Sequence, residues 1–187
     1  MVTAPVDPRG ELKIVFTGTM GAGKTTAIRG ISDQATLSTE VPMSVGATED
    51  KRYTTVGFDY GECRLDEAVT LRLFGTPGQE RFRFMWDILG AGAFGLVVLA
   101  DNTQPDPIGD VEQYLRAFAA HVPARRTVVG VGRLGDRPAP SIDDYCERLC
   151  GAGFAVPVIE VDVRRPGDTR LLLSVLVSMA EVEHGEV

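Results

Sequence analysis

The most informative part of this 187-residue chain is one short run, Gly18-Thr19-Met20-Gly21-Ala22-Gly23-Lys24-Thr25. It matches G-x-x-x-x-G-K-[ST], follows an apolar run at residues 12–16 and precedes a helical pattern at residues 26–31. A strand, a glycine-rich loop and a helix in that order are the context in which this motif binds the phosphates of a nucleotide. We call residues 18–25 the phosphate loop.

The residue types of the phosphate loop suit a polyanion. Its glycines let the backbone curl and turn several N–H groups inward, and the following helix N-terminus adds a partial positive charge. We expect Lys24 to reach the outer phosphates and the Thr25 hydroxyl to bind Mg²⁺ between them. The alternative is a glycine-rich turn without a ligand. The predicted nucleotide contacts of this region are Gly18, Met20, Gly21, Ala22, Gly23, Lys24, Thr25 and Thr26.

Composition narrows the class of protein. The chain has 19 Lys and Arg against 26 Asp and Glu, a net charge of -7, which argues against nucleic-acid binding. Its longest apolar stretch, residues 88–100, is broken by glycines and too short for an integral membrane segment. With no signal-peptide pattern, a cytoplasmic protein is predicted. We expect residues 1–10 to be a flexible leader and residues 11–187 to be a single domain.

Hydrophobic periodicity predicts alternating strands and helices. Strands are predicted at residues 12–16, 55–60, 69–74, 94–100, 127–131 and 156–161, and later helices at about 82–89, 108–122, 141–150 and 168–183. The second and third strands are predicted to be antiparallel neighbours. The pattern indicates an α/β fold, a P-loop NTPase three-layer sandwich with a mostly parallel six-stranded sheet and one antiparallel strand. Residues 32–54 lack periodicity and are predicted to be a loop that orders when nucleotide binds.

A second motif, Phe74-Gly75-Thr76-Pro77-Gly78-Gln79-Glu80-Arg81-Phe82-Arg83, resembles the second switch of Ras-like small GTPases. Its details are most similar to the prokaryotic MglA type and the GTP-binding proteins of actinobacterial conservon operons. The resemblance implies GTP/GDP and Mg²⁺ as cofactors, with Thr25 and Thr55 (or Thr54) as metal ligands. It also implies that the Gly78 N–H senses the γ-phosphate and that Gln79 orients the attacking water.

The resemblance further implies a switch that hydrolyses GTP to GDP and signals through two loops, about residues 32–55 and 75–85. Regulatory or effector proteins, a Roadblock-type protein among them, would bind these loops. Arg52 is a candidate arginine finger in cis and Arg81 a second, with a solvated surface arginine as the alternative for each. The apolar residues at 82–86 cannot all face inward on one helix, so a partner-binding patch is weighed there against plain burial.

Two departures from the family pattern qualify this interpretation. The family's acidic residue is replaced by Gly75, so we expect weaker magnesium affinity and slow intrinsic hydrolysis unless Asp59 or Asp101 compensates through water. At the base end, Arg133 is expected to stack on the purine, while Asp136 stands one residue later than the family's acid and Val163 lies in an atypical last loop.

The preference for GTP over ATP therefore rests on resemblance. A nucleotide-binding scaffold with little turnover and relaxed base specificity is the alternative. An ATP-using phosphotransferase is third, because the chain lacks an evident arginine-rich lid.

Overall fold

The computed structural model describes residues 11–33, 37–45, 52–64, 69–78 and 82–185, with only the backbone described at 37–45, 52–56 and 182–185. The strands are β1 Glu11–Gly18, β2 Leu37–Val45, β3 Arg52–Arg64, β4 Thr70–Gly75, β5 Gly95–Asp101, β6 Thr127–Gly132 and β7 Val158–Glu160. The helices are α1 Lys24–Ile31, α2 Phe84–Gly90, α3 Pro107–Phe118, α4 Ile142–Gly151 and α5 Pro166–Gly185. None of the described helices has the length and apolarity needed to cross a membrane.

The strands form one sheet in the order β2-β3-β4-β1-β5-β6-β7. Strands β4, β1, β5, β6 and β7 are mutually parallel, and β3 is antiparallel to both of its neighbours. The predicted mostly parallel sheet with one antiparallel strand is therefore confirmed, and all six predicted strands are present.

A seventh strand, β2, comes from the segment that the sequence assigned to a loop. Its register pairs Leu37 with Tyr60 and Val45 with Arg52 of the long strand β3. Pro42 and the polar residues of β2 hide its strand character in the sequence, but a proline is tolerated on an edge strand because it needs no partner for a backbone N–H. The strand depends on pairing with β3, which local periodicity does not reveal.

Apolar clusters on the two faces of the sheet confirm the three-layer sandwich. On one face, Ile28 of α1 and Leu172 and Leu176 of α5 pack with Ile14 and Phe16 of β1. On the other face, buried residues of α2, α3 and α4 pack with the opposite side chains of the central strands: Trp86, Val111, Phe118, Tyr145, Leu149, Val98 and Val129. Every residue of β5 is buried, as expected for a central parallel strand.

The helix starts differ in a way that bears on the site. A capping box is present at the start of α4, since the Ser141 side chain accepts from the Asp144 N–H and Asp144 accepts from the Ser141 N–H. By contrast, the N-cap residue of α1, Gly23, has a left-handed backbone and provides no side-chain cap, and the first turn of α1 has no acidic residue. Its first N–H groups are therefore available to an anion.

Candidate nucleotide-binding site

The backbone of the phosphate loop has the conformation that its glycines predict. Gly18, Gly21 and Gly23 have φ values of 138°, 84° and 93°. A Cβ at Gly18 would lie 2.1 Å from the Leu99 carbonyl oxygen, and one at Gly23 would lie 2.5 Å from Cγ2 of Val163. Glycine is thus required both by the left-handed backbone and by the close packing of the loop on β5 and on the loop after β7.

Lys24 is the buried cation of the phosphate loop. Its ammonium donates to the carbonyl oxygens of Gly18 and Thr19, each at 2.7 Å. Burial lowers the pKa of Lys24 from its ordinary 10.5 to about 8, although the nearby Asp59 carboxylate acts in the opposite direction. A phosphate group would replace lost hydration and restore a strong preference for the charged form.

Asp59 of β3 places a carboxylate beside the phosphate loop, on the strand next to Gly75. The Thr25 hydroxyl donates to Oδ2 of Asp59 at 2.6 Å. Asp59 and Gly75 are direct cross-strand partners. A Cβ at Gly75 would lie 3.1 Å from the Asp59 Cβ, so a side chain there would crowd the carboxylate. The Asp59 carboxylate therefore lies on the neighbouring strand, and glycine at 75 leaves room for it.

The segment 76–78 lies against the phosphate loop. A Cβ at Gly78 would lie 2.6 Å from the Met20 backbone nitrogen and 3.0 Å from Nζ of Lys24, which permits only glycine. Buried hydroxyls of Thr17 and Thr76 hydrogen-bond at 2.8 Å. The Trp86 indole N–H donates to the Pro77 carbonyl at 3.4 Å. A cavity of about 350 Å³ lies between this segment, the phosphate loop and Asp59.

A second cavity of about 600 Å³ continues from the phosphate loop to the loops after β6 and β7. Arg133 lines it with a left-handed backbone, φ 62°. Its guanidinium donates to Oδ2 of Asp101, and to the Gly21 carbonyl at 3.3 Å. Burial opposes ionisation of Asp101, but hydrogen bonds from Thr103 and Gln104 and the charge of Arg133 outweigh it and lower its pKa. Stacking of Arg133 on a purine stays a prediction.

The rest of this cavity wall carries acidic residues. Asp136 and Val163, whose nucleotide contacts stay a prediction, both line it, and Asp136 is exposed. Both carboxylate oxygens of Asp162 accept from the Arg164 guanidinium at 2.8 Å, and these bonds lower the pKa of Asp162 to about 2. The Asp162 N–H donates to Asp168, which anchors the last loop on α5. The sequence pointed to the loop that contains Val163, but it did not predict that Asp162 and Arg164 on either side of Val163 form an ion pair.

Some predicted site residues cannot be placed. Gln79 and Arg81 lie outside the described residues. Arg52, Thr54 and Thr55 belong to β3, but their side chains lie outside what the structure describes. Among the residues that it does place, it brings together the predicted phosphate loop, Lys24, Thr25 and Gly78. It also separates the two candidate acids, because Asp59 bonds to Thr25 whereas Asp101 pairs with Arg133.

The apolar residues at 82–86 do not all face inward, as predicted. Met85 and Trp86 are buried, Phe82 is half-buried, and the Phe84 side chain is 37% exposed. Ile88, one turn further along α2, is 54% exposed. This helix therefore presents large apolar side chains beside the segment 76–78.

The fold and the phosphate loop define the class of the molecule, a P-loop protein with the fold of the small GTPases. The Arl6 BBS3 small GTPase from Trypanosoma brucei, solved with the nucleotide analogue GppNp, matches with a TM-score of 0.67 at 17% identity, over 91% of this chain and 98% of that chain. The G domain of the T. maritima FeoB iron transporter matches with a TM-score of 0.64 at 14% identity, over 91% and 99% of the two chains.

Sequence comparison identifies the family. Residues 34–129, half of the chain, match the family described as conserved hypothetical ATP binding protein, and the chain belongs to this family. The match begins after the phosphate loop and includes Asp59, segment 76–78 and β5. The narrower resemblance to the MglA and conservon types stays a prediction.

Two curated relatives show how far the likeness extends. Uncharacterized protein MJ1339 of Methanocaldococcus jannaschii is 36% identical over 92 residues, 49% of this chain and 52% of that protein. The Ras-related protein RABE1d of Arabidopsis thaliana is 25% identical over 140 residues, 73% of this chain and 61% of that protein. The chain thus spans only about half to three fifths of the length of these relatives.

Proposed function

We propose that the chain is a nucleotide-switched hydrolase that binds GTP with Mg²⁺ and converts it slowly to GDP. Its two signalling segments are about residues 32–55, which include β2 and the start of β3, and about residues 75–85. The observation that carries the proposal is the convergence of Lys24, Thr25, Asp59 and Gly78 at the carboxyl ends of the strands beside the uncapped start of α1. Each of these four residues suits one part of a bound triphosphate.

The phosphate tail would bind between the backbone and Lys24. The N–H groups at the start of α1 would donate to the phosphate oxygens, and the Lys24 ammonium would hold the outer two phosphates. The backbone of Gly78 lies close enough to Met20 and Lys24 that a γ-phosphate there would contact it. Presence or loss of that phosphate would then move segment 76–78, which is how such switches signal.

The residues around Thr25 fit a magnesium ion. The Thr25 hydroxyl oxygen and Oδ2 of Asp59 lie 2.6 Å apart. Mg²⁺ prefers oxygen ligands of these two kinds beside a nucleotide phosphate. Thr25 and Asp59 would hold the ion, with Thr55 joining them, and the ion would supply neutralisation of the phosphate charge. The weaker magnesium affinity expected from Gly75 remains a prediction, and Asp59 is the residue that would offset the missing acid.

Turnover and partner binding would depend on neighbouring segments. Gln79 would orient the attacking water, and Arg52 would stabilise charge on the transferred phosphate. The exposed Phe84 and Ile88 would form part of the surface that a regulatory or effector protein recognises when segment 76–78 moves.

Competition binding is the first experiment. Labelled GTP is displaced from the purified chain, with Mg²⁺ present, by unlabelled GTP, GDP, ATP or ADP. Single-turnover hydrolysis then compares wild type with Gln79→Leu. The proposal expects displacement by GTP and GDP and slow hydrolysis that Gln79→Leu reduces at least tenfold, a step of about 1.4 kcal/mol in the barrier. Absence of binding to every purine triphosphate would refute it.

A nucleotide-holding scaffold with relaxed base specificity is the second candidate. It is favoured by the base end of the cleft, where Asp136 is exposed and Arg133 is engaged by Asp101. Equal displacement by ATP and GTP, together with bound nucleotide that is never hydrolysed, would select this candidate. A protein that binds ATP more tightly than GTP would instead follow the description of its family, conserved hypothetical ATP binding protein.

A further inference from the structure

Asn102 is a buried amide whose side chain connects the end of β5 to the loop 133–140 and to helix α4. It has no exposed surface. Its side-chain nitrogen donates to the carbonyl oxygens of Arg137 at 2.6 Å and Pro140 at 3.0 Å. Its side-chain oxygen accepts from the Tyr145 hydroxyl at 2.9 Å. A buried amide satisfied in this way strongly specifies one arrangement of the segments that it joins.

The contacts of Asn102 belong to a larger set that ties the loop 133–140 to residues 101–104. The Asn102 backbone N–H donates to the Gly132 carbonyl at 3.1 Å. In the opposite direction, the Arg137 guanidinium donates to the carbonyls of Thr103 and Gln104 at 3.2 and 2.8 Å. Hydrogen bonds thus hold the loop 133–140 at Gly132, just before its start, at Arg137 in its middle and at Pro140 at its end.

The loop 133–140 carries several of the side chains that line the 600 Å³ cavity. Arg133, Leu134 and Asp136 line the cavity from this loop, and Asp101 lines it from the end of β5. Asn102 follows Asp101 in the chain, and its side chain donates hydrogen bonds to the loop. The hydroxyl of Tyr145, on the buried face of α4, donates to the same side chain.

We infer that Asn102 and Tyr145 are positioning residues for the base of the nucleotide: their hydrogen bonds hold the loop 133–140 so that Arg133 and Asp136 face the bound purine. This inference rests on the proposed function, because it assigns the 600 Å³ cavity to the base. Neither residue lines the 350 Å³ cavity beside the phosphate loop. Their loss therefore weakens the part of the affinity that the base contributes and leaves the phosphate part unchanged.

The test compares ligands with and without a base. Dissociation constants of GTP, ATP and inorganic triphosphate, each with Mg²⁺, are measured for wild type, Asn102→Ala and Tyr145→Phe. Nucleotide affinity is expected to fall about tenfold in Asn102→Ala and about threefold in Tyr145→Phe, in line with the loss of buried hydrogen bonds. Affinity for inorganic triphosphate is expected to change less than about twofold, since it engages only the phosphate loop.

Tyr114→Phe is the matched control, because Tyr114 is a second buried tyrosine in the same apolar cluster and belongs to α3. It is expected to leave nucleotide affinity unchanged. Tyr145→Phe removes a single oxygen atom, so it tests the inference even where Asn102→Ala fails to fold. Unchanged nucleotide affinity in Tyr145→Phe, or an equal loss for inorganic triphosphate, would overturn the inference. Wild type that binds inorganic triphosphate but no nucleotide would refute the proposed function and the inference with it. Wild type that binds neither would refute the phosphate site itself.

Discussion

The two ends of the cleft are built by different means. At the phosphate end, the groups that would face a ligand are largely backbone, shaped by glycines with positive φ, with the Lys24 ammonium and the Asp59 carboxylate added. At the base end, side-chain ion pairs shape the wall, with Arg133 on Asp101 and Arg164 on Asp162. A backbone site depends on a short contiguous motif, whereas a side-chain site depends on partners brought from several loops. The phosphate end should therefore be intolerant of substitution and the base end adjustable.

The largest expected effect is at Gly18. Gly18→Ala forces a Cβ to within 2.1 Å of the Leu99 carbonyl oxygen at a φ of 138°. Steric overlap and backbone strain together should reduce the free energy of unfolding by about 3–5 kcal/mol. Chemical denaturation measures this.

Gly21→Ala is the control for backbone strain alone. Gly21 has a φ of 84°, but a Cβ there has nothing within 4 Å. The expected loss is about 1–2 kcal/mol. Equal losses at the two glycines would show that close packing of the loop on β5 contributes little to stability. The main reason for expecting the phosphate end to be intolerant of substitution would then be lost.

The next effect is at Lys24, where function and stability should move in opposite directions. Lys24→Met should reduce the affinity for inorganic triphosphate by about 100-fold, because the one buried ammonium at the phosphates is lost. Retained affinity would remove Lys24 from the site.

The same variant should be more stable than wild type at pH 7. The pKa of Lys24 is about 8 in the folded chain against 10.5 ordinarily, so the unfolded state binds the proton more tightly. Burial of the charge therefore costs stability below pH 8, and this cost disappears as pH rises from about 8 towards 10.5. Denaturation of Lys24→Met at pH 7 should show a gain of about 1–3 kcal/mol over wild type, which shrinks by pH 10. A gain that does not depend on pH would contradict the titration argument.

A smaller effect is expected at Asp59. Asp59→Asn keeps the shape and the bond to Thr25 but removes the negative charge. The Mg²⁺ concentration that supports half-maximal nucleotide binding should rise about tenfold. Asp101→Asn is the control, because its carboxylate faces Arg133, and it should leave the magnesium requirement unchanged. The reverse result would assign the metal to the other acid.

The smallest effect is expected at the adjustable end. Asp136 is exposed in the cavity wall, so its geometry toward a base is loosely held. Asp136→Asn should change the ratio of GTP to ATP affinity by only about threefold, measured by competition. A change of two or more orders of magnitude would mean that the base end is as tightly specified as the phosphate end.

The same contrast explains what the sequence could predict. The phosphate loop was predictable because glycine spacing dictates its backbone, and Lys24 and Thr25 then follow in the first turn of α1. The central strands were predictable from their apolar runs, and α4 from its capping box. Strand β2 was missed because its pairing with β3 involves residues far apart in sequence, and Pro42 obscures its pattern.

The network of side-chain hydrogen bonds and ion pairs was harder to predict from the sequence. From the sequence alone, Asp59 and Asp101 were equal candidates for replacing the acid that is missing at Gly75. Only the strand register, which places Asp59 opposite Gly75, distinguishes them. Asn102 and Tyr145 gave no signal, because a lone asparagine after a strand and a tyrosine on an amphipathic helix are ordinary in isolation. Their role depends on a contact across 43 positions of the chain.

The indole of Trp86 gives the protein a built-in optical reporter. It is the sole tryptophan of the chain, it is buried, and its N–H donates to the Pro77 carbonyl of the segment beside the phosphate loop. Emission intensity and wavelength depend on the polarity and hydrogen bonding around an indole. Exchange of nucleotide should therefore be visible in the fluorescence of the unlabelled protein, in real time and without any added dye.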